Sequence, residues 1–203
     1  MRRTILFALP LLFVGVGSLA AEPYAFDTNH TRIAYSIDHM GLSQMHGAFR
    51  QFTGELQLDV KDLAASSVKI NIDVASIDTG VIKLDEHLRT ADFFEVAKYP
   101  EMQFVSTAVK PIDTGHFSVV GDLTLHGVTH PVTLDVRMRT LDMHPMRKVP
   151  AAGFVAKAVI YRADFGIKIY PGMLGDTVAI RIDSEAYQNL PKPAAEAAPA
   201  QQQ

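Results

Sequence analysis

Apolar and polar side chains alternate along most of this chain, and this period of two residues constrains its fold more than any other feature. In residues 52–60 the even-numbered positions are apolar or glycine, while the odd-numbered positions are polar or charged. Because successive side chains of a strand point to opposite faces, the alternation predicts half-buried strands. Eight such strands are predicted, in residues 33–40, 52–60, 68–75, 102–109, 117–125, 132–139, 154–162 and 178–184.

Glycine-containing clusters separate several of these strands. They occur at residues 113–115, 126–127, 150–153 and 172–176. Short connections of this composition are typical of tight turns between antiparallel neighbours. The sequence therefore predicts a mostly antiparallel sheet.

The longest connection, residues 82–97, breaks the alternation. Leu84, Leu88 and Phe94 recur there at roughly helical spacing, which predicts one short helix. Pro100 then restricts the residue before it to an extended backbone, so we expect the next strand to open at this proline.

Eight antiparallel strands with one apolar face can close into a barrel or stack as a sandwich. Closure removes the exposed sheet edges. An eight-stranded barrel is just wide enough either to be filled by its own side chains or to hold one small ligand. The inward face is almost free of charge, so any occupant is expected to be apolar.

The amino terminus has a different composition. Arg2 and Arg3 precede an apolar run in residues 5–16, and the whole segment 1–20 is interpreted as a cleaved secretory signal peptide. A membrane anchor is the rival interpretation. It is disfavoured because the run is too short to span about 30 Å of hydrocarbon.

The carboxyl terminus, residues 191–203, holds only Pro, Ala, Lys, Glu and Gln. Such a segment cannot bury a core, so a disordered tail is predicted. One domain, residues 21–190, is left between the two ends, which fits the usual size of a single core.

Composition excludes several classes of function. The chain has no cysteine, so disulfides, thiolate nucleophiles and Cys-ligated metals are excluded. Its formal net charge is −3, and an acidic chain is a poor partner for nucleic acid. Nucleic acid is therefore not expected as a partner.

No metal and no other cofactor are expected. His126 and His130 are four residues apart, but Gly127 predicts a turn, in which two histidines need not share a face. His39 and His46 flank another predicted loop. The chain also lacks the helical His-Glu-x-x-His pattern and the nucleophile elbow Gly-x-Ser-x-Gly.

Several stretches resemble the YceI-like family of bacterial periplasmic polyisoprenoid-binding proteins. The opening strand Tyr-Ser-Ile-Asp-His-Met-Gly at 35–41 is similar to that family's pattern, and the most specific block is His-Leu-Arg-Thr-Ala-Asp-Phe-Phe at 87–94. Two more blocks lie at 121–129 and at 153–167. The resemblance covers about residues 23–187, with one departure at 143–148, where many relatives carry a Trp-Gly pair.

The resemblance implies an extended, lipocalin-like barrel of eight antiparallel strands in the periplasm. It implies one long isoprenoid chain bound in the lumen and no catalytic activity. The expected function is sequestration or transport of a polyisoprenoid lipid such as a prenyl quinone or prenyl phosphate. The candidate lumen residues, all on the apolar face of the strands, are Tyr35, Ile37, Phe52, Leu56, Ile70, Ile72, Phe117, Val119, Leu134, Val136, Phe154 and Ile180.

Three residues flanking the predicted helix are candidates for binding a lipid head group. Lys83, His87 and Arg89 could neutralise a phosphate or donate to a quinone carbonyl. The alternative for Arg89 is a local ion pair with Asp85 or Asp92 that holds the helix against the barrel, and this alternative is favoured.

Other contacts and functions stay open at this point. The basic stretch 137–148 is a candidate for transient contact with an anionic membrane surface. A solvated loop is the alternative interpretation of this stretch. Formation of a homodimer is also left open. An enzyme acting on an amphipathic substrate, with His39 or His87 as base, is one alternative function. A stress-related structural protein whose barrel is filled by its own side chains is another.

Overall fold

In the computed structural model, residues 21–189 are described, and the alternating segments form strands. The predicted signal peptide (1–20) and tail (191–203) lie outside the described residues. The single α-helix of the described part, α1, is Ile82–Leu88, and 3-10 turns occur at Leu63–Ala65 and Val74–Ser76. The strands are β1 Glu22–Phe26, β2 Arg32–His39, β3 Ser43–Phe49, β4 Phe52–Leu58, β5 Ser67–Asp73, β6 Ile77–Asp78, β7 Glu101–Asp113, β8 His116–Leu125, β9 Val128–Leu141, β10 Ala151–Tyr161 and β11 Leu174–Gln188.

Eight of these strands close into an antiparallel ring, in the order β1, β4, β5, β7, β8, β9, β10, β11. Strand β1 completes it, because Tyr24 pairs with Leu56 of β4 on one side and with Gln188 of β11 on the other. Closure satisfies the edge hydrogen bonds that an open sheet would expose. The predicted eight-stranded antiparallel barrel with one short helix is confirmed.

The long strand β11 pairs with β2 rather than β1 from Leu174 to Asp183. Ile37 of β2 pairs with Val178 there, and the hairpin of β2 and β3 continues the sheet to β6, where Phe49 pairs with Ile77. This hairpin and α1 lie at the end of the barrel where β11 begins. We call that end the helix end.

The structure differs from the sequence prediction at three short strands and two turns. Of the turn predicted at 172–176, only residues 172 and 173 form a turn, because β11 begins at Leu174. Strands β1, β3 and β6 were not predicted, since β3 reads Ser-Gln-Met-His-Gly-Ala-Phe and has little alternation. The turn predicted at 150–153 is wrong. Strand β10 already begins at Ala151, which pairs with both Leu141 and Tyr187, so the connection is residues 142–150.

Helix α1 is anchored at its start by a buried carboxylate. Asp85 accepts hydrogen bonds from the backbone nitrogen of Thr79, at 2.8 Å, and from its hydroxyl, at 2.6 Å. The helix is shorter than the 82–97 connection because tight turns follow Leu88, and Glu95 has a positive φ of 46°. Within residues 21–189, no helix is long and apolar enough to cross a membrane.

The barrel interior holds two groups of buried apolar side chains. The larger group lines most of the lumen. The smaller one, which includes Tyr24, Leu58 and Ala186, packs at the end opposite α1.

Candidate ligand-binding cavity

A cavity of about 570 Å³ runs through the barrel. This volume lies within the range of about 300–1,000 Å³ typical of small-molecule sites. Apolar side chains make up most of its wall. The structure places all twelve predicted lumen residues along it: Tyr35, Ile37, Phe52, Leu56, Ile70, Ile72, Phe117, Val119, Leu134, Val136, Phe154 and Ile180.

Many of these inward-facing side chains are incompletely packed. Tyr35, Ile70 and Ile180 line the cavity and are only half-buried, whereas residues in a filled core lose nearly all contact with solvent. The barrel is therefore not filled by its own side chains. Whether these residues contact a ligand stays a prediction.

The cavity opens mainly at the helix end. His39, His46, Tyr170 and Met173 line it and are exposed, and the backbone nitrogen of Met40 donates to the carbonyl of Met173 at 2.8 Å. These segments and α1 form the rim of what we call the mouth.

Helix α1 and the turn after it cover part of the mouth. Leu84 and Leu88 of the helix and Phe94 after it line the cavity. The ring of Phe94 packs edge-on against Phe49 of β3, with 5.9 Å between centroids. The predicted helical face thus lies on the lumen, as its spacing indicates.

One charged side chain belongs to this wall. Among the described residues lining the cavity, Arg162 is the only Arg, Lys, Asp or Glu, and it is 7% exposed. Its guanidinium donates to the carbonyls of Ile167 at 3.0 Å, Leu174 at 3.1 Å and Gly175 at 2.9 Å. These bonds place it at the helix end, between the end of β10 and the start of β11.

Tyr35 brings a neutral hydroxyl to the lumen. Burial raises the pKa of Tyr35, and the nearby Asp85 carboxylate raises it further. The phenol therefore stays protonated at neutral pH and can donate a hydrogen bond. Toward the other end, the hydroxyls of Thr31 and Ser184 lie 3.1 Å apart and pair with each other.

The three predicted head-group residues have different positions. His87 lines the cavity, and its Nε2 lies 3.2 Å from Asp92 Oδ2. Lys83 is exposed and is not part of the wall. Of the three, the structure thus brings only His87 to the cavity.

Arg89 is held by backbone carbonyls. Its Nε donates to Ala75 at 2.8 Å and its Nη2 to Ile77 at 2.9 Å. The expected ion pair with Asp85 or Asp92 is wrong, because the guanidinium faces the chain between β5 and β6. It still ties the helix to the barrel, as expected, but through carbonyls.

The basic stretch 137–148 lies at the far end of the barrel from the mouth. Residues 142–150 connect β9 to the start of β10, where Ala151 pairs with Tyr187, whereas the mouth lies where β11 begins. Arg147 is engaged with Asp27 at 2.7 Å and covers the ring of Tyr187 at 4.0 Å. Within residues 143–148, His144 and Arg147 contact the ring of Tyr187, whereas Met143 and Met146 are exposed.

His126 and His130 each contact a different backbone carbonyl and do not converge on one point. His126 Nδ1 lies 3.1 Å from the carbonyl of Phe165, and His130 Nε2 lies 3.1 Å from that of Asp164. His39 and His46 lie on β2 and β3, on either side of a tight turn rather than a loop. Among residues 21–189, no three His, Asp or Glu side chains converge on one point.

Sequence reasoning missed Arg162 as a wall residue, although the signal was present. Phe154 and Ala156 of β10 line the cavity, and the period of two continues from them to Ile160 and Arg162. Even-numbered positions of this strand therefore face inward. A charged residue at an inward position of an apolar strand indicates a buried group with a functional or structural role.

A closed antiparallel barrel of eight strands around an apolar, open-mouthed cavity defines the lipocalin-like class of β-barrels. Comparison with known sequences narrows this class, since a sequence model of the YceI-like domain matches residues 24–186. Protein YceI of Escherichia coli O157:H7 is 38% identical over 179 residues, covering 87% of this chain and 93% of that protein. The chain belongs to the YceI-like family.

Solved structures share this fold. Burkholderia cenocepacia BcnA aligns with a TM-score of 0.72 at 24% identity, over 79% of this chain and 98% of that one. A polyisoprenoid binding domain from Saccharophagus degradans aligns with a TM-score of 0.57 at 16% identity, over 82% of this chain and 98% of that one. At these identities the likeness concerns the fold alone.

Proposed function

We propose that this protein binds the tail of a polyisoprenoid lipid in the barrel cavity, in the periplasm, and sequesters or carries that lipid without chemical turnover. The observation that carries the proposal is the apolar cavity that the protein's own side chains leave unfilled. A structural protein with a packed barrel has no need of such a space. The exposed mouth provides a route for a long chain to enter.

Burial of the apolar tail supplies the binding free energy. Removing apolar surface from water is worth roughly 25 cal/mol per Å², although ordering and desolvation offset much of this gain. A wall of aliphatic and aromatic side chains suits a flexible isoprenoid chain because it requires no fixed hydrogen-bond geometry. Selectivity must then come from polar groups near the mouth.

Two further observations support the ligand class and the location. The solved domain from Saccharophagus degradans, which shares this fold, is described as a polyisoprenoid binding domain. Residues 1–20 have the composition of a cleaved signal peptide, which directs a chain out of the cytoplasm. A homodimer and contact with the membrane surface remain predictions.

The proposal is tested by expressing the full chain, recovering the periplasmic fraction and purifying the protein without detergent. Organic extraction followed by mass spectrometry is expected to yield a prenyl lipid in stoichiometric amount. An empty extract, together with failure to take up added prenyl lipids, overturns the lipid-binding proposal. Recovery of the protein only in the cytoplasmic fraction, with its first 20 residues retained, overturns the proposed location.

A further inference from the structure

Arg162 is an unusual wall residue, because it places a full positive charge beside an apolar cavity. It is 7% exposed, and burying a charge is costly unless the charge is paired. Within the described residues, no carboxylate oxygen lies within 4.0 Å of its guanidinium. The charge of Arg162 is therefore met by carbonyl dipoles and by no opposite charge.

The hydrogen bonds of Arg162 also leave donors unused. A guanidinium has five N–H donors, and the carbonyls of Ile167, Leu174 and Gly175 each accept one bond. Two N–H donors thus have no hydrogen-bond acceptor among the described residues. They belong to Nη1 and Nη2, since Nε has one N–H and donates it to Gly175.

The two acids that share a crevice with Arg162 face other groups. Asp38 and Asp176 line a small surface crevice that Arg162 shares with Lys168. The Asp38 carboxylate accepts from the backbone nitrogen of Gly41 at 2.8 Å, and the Asp176 carboxylate accepts from that of Ala163 at 2.9 Å. Both acids are on the crevice side and neither lines the large cavity.

We propose that Arg162 binds the anionic head group of the lipid, a phosphate, at the helix end of the cavity, with the isoprenoid tail directed into the barrel. This inference rests on the proposed function and specifies its ligand class. Hydrogen bonds from a guanidinium to an ionised oxygen are roughly twice as strong as neutral ones. An anionic head group therefore gains more from Arg162 than the carbonyl of a quinone or the hydroxyl of an alcohol.

The test compares two probes that differ only in the head group, geranylgeranyl monophosphate and geranylgeraniol. Calorimetric titration of the delipidated protein is expected to show tighter binding of the phosphate by roughly ten- to a hundredfold, the effect of one charged hydrogen bond. In Arg162→Met this ratio is expected to fall close to one. Arg162→Lys, which keeps the charge, is expected to retain part of it.

Lys168→Met is the matched control, because Lys168 is a neighbouring cation that lines only the crevice. It is expected to keep the wild-type ratio. A purely structural Arg162 would weaken both probes equally, and that result overturns the proposal. So does a ratio near one in the wild-type protein, a measurement that requires no variant to fold.

Two outcomes separate this inference from the proposed function. If both probes bind equally well, the cavity holds prenyl tails and only the role of Arg162 is wrong. If neither binds, the proposed function fails. Inorganic phosphate alone distinguishes a lipid head group from a free anion, since it is expected to bind far more weakly than the prenyl phosphate. Equal affinity for inorganic phosphate overturns the inference, because the tail would then contribute nothing.

Discussion

The buried carboxylate of Asp27 accepts a hydrogen bond from Arg147 Nη2 at 2.7 Å, across 120 residues of sequence. The carboxylate is 2% exposed and also lies 3.1 Å from His30 Nδ1. This contact ties the connection 142–150 to the turn between β1 and β2. The basic segment is thus held to the barrel at Arg147, although the sequence reads as a solvated loop.

Acid is expected to weaken this contact. The hydrogen bond with His30, followed by that from the Asn29 backbone and the charges of His30 and Arg147, lowers the pKa of Asp27 to about 2 despite burial. Because the folded pKa lies below the unfolded value, the stabilisation is present above about pH 4 and is lost as the pH falls toward 2.

Asp27→Asn removes this titration. Denaturant unfolding from pH 5 to pH 2 is expected to show a shallower loss of stability in the variant than in the wild type. Asp142→Asn, at an exposed acid of the same connection, serves as control and should keep the wild-type slope. Identical slopes for wild type and Asp27→Asn would contradict the assignment.

The contact between His116 and Asp135 is expected to make stability depend on pH in the opposite direction. Their side chains lie 2.5 Å apart, and Asp113 is 3.3 Å from the other ring nitrogen. The hydrogen bond with Asp135, and then that with Asp113, raises the pKa of His116. Its stabilising contribution is therefore complete below the ordinary histidine pKa and is lost as the pH rises through the raised value.

An NMR titration of His116 checks which of the two aspartates raises its pKa more. Asp135→Asn is expected to lower the pKa of His116 more than Asp113→Asn does, because Asp135 is the larger cause. A larger effect of Asp113→Asn would show that the geometry of the pair is different in solution.

Ile180→Trp is expected to fill the cavity and prevent lipid uptake while the protein stays folded. Ile180 lines the cavity and is half-buried, so a larger ring has space to occupy. The chain has no tryptophan of its own, so the new indole reports its surroundings by fluorescence. Its emission is expected to be that of an apolar site, and the purified variant should contain no lipid.

Ala179→Trp is the matched control for this variant, since Ala179 is exposed on the same strand. Its indole should report water, and lipid binding should be unchanged. If Ile180→Trp retained a full complement of lipid, the cavity would not be the binding site.

Ile72→Asp is expected to unfold the barrel or exclude the ligand. Ile72 is 7% exposed and lines the cavity, so the aspartate would be an unpaired buried charge, at a cost of several kcal/mol. The measurement is thermal unfolding combined with lipid content. Asn71→Asp is the control, because its side-chain oxygen can still accept the 2.7 Å bond from Gln103. A stable, lipid-bound Ile72→Asp would refute the inward orientation of Ile72.

Gly47→Ala is expected to destabilise the hairpin of β2 and β3 by about 1–3 kcal/mol, the usual cost of overpacking. A Cβ at Gly47 would overlap the hydroxyl and ring of Tyr35, its partner on β2. The loss should shrink in a Tyr35→Leu background, which a double-mutant cycle measures.

Gly153→Ala controls for the loss of a strand glycine. A Cβ at Gly153 meets only the Ser184 carbonyl, at 3.9 Å, so little destabilisation is expected. Equal effects of the two substitutions in the wild-type background, or an unchanged loss for Gly47→Ala in the Tyr35→Leu background, would show that Tyr35 does not occupy the space above Gly47.

The sequence alone carried the prediction of eight of the eleven strands in residues 21–189 and of the side chains that face inward. The alternation from Phe154 and Ala156 is a local property of an extended backbone, since successive side chains point to opposite faces whatever the strand pairs with. For the same reason the twelve apolar positions could be placed on one face without any knowledge of their neighbours. Leu84 and Leu88 likewise show a helical spacing that is independent of the rest of the fold.

Only the tertiary structure decided how those faces are used. The ring closes because Tyr24 pairs with residues of both β4 and β11. The lumen stays open because the side chains around Tyr35 and Ile180 do not fill it. The hydrogen-bond partners of Arg89 and Arg147 are at least twelve residues away in sequence. Pairing, volume and charge compensation depend on contacts between residues far apart in the chain, and a period of two carries no information about them.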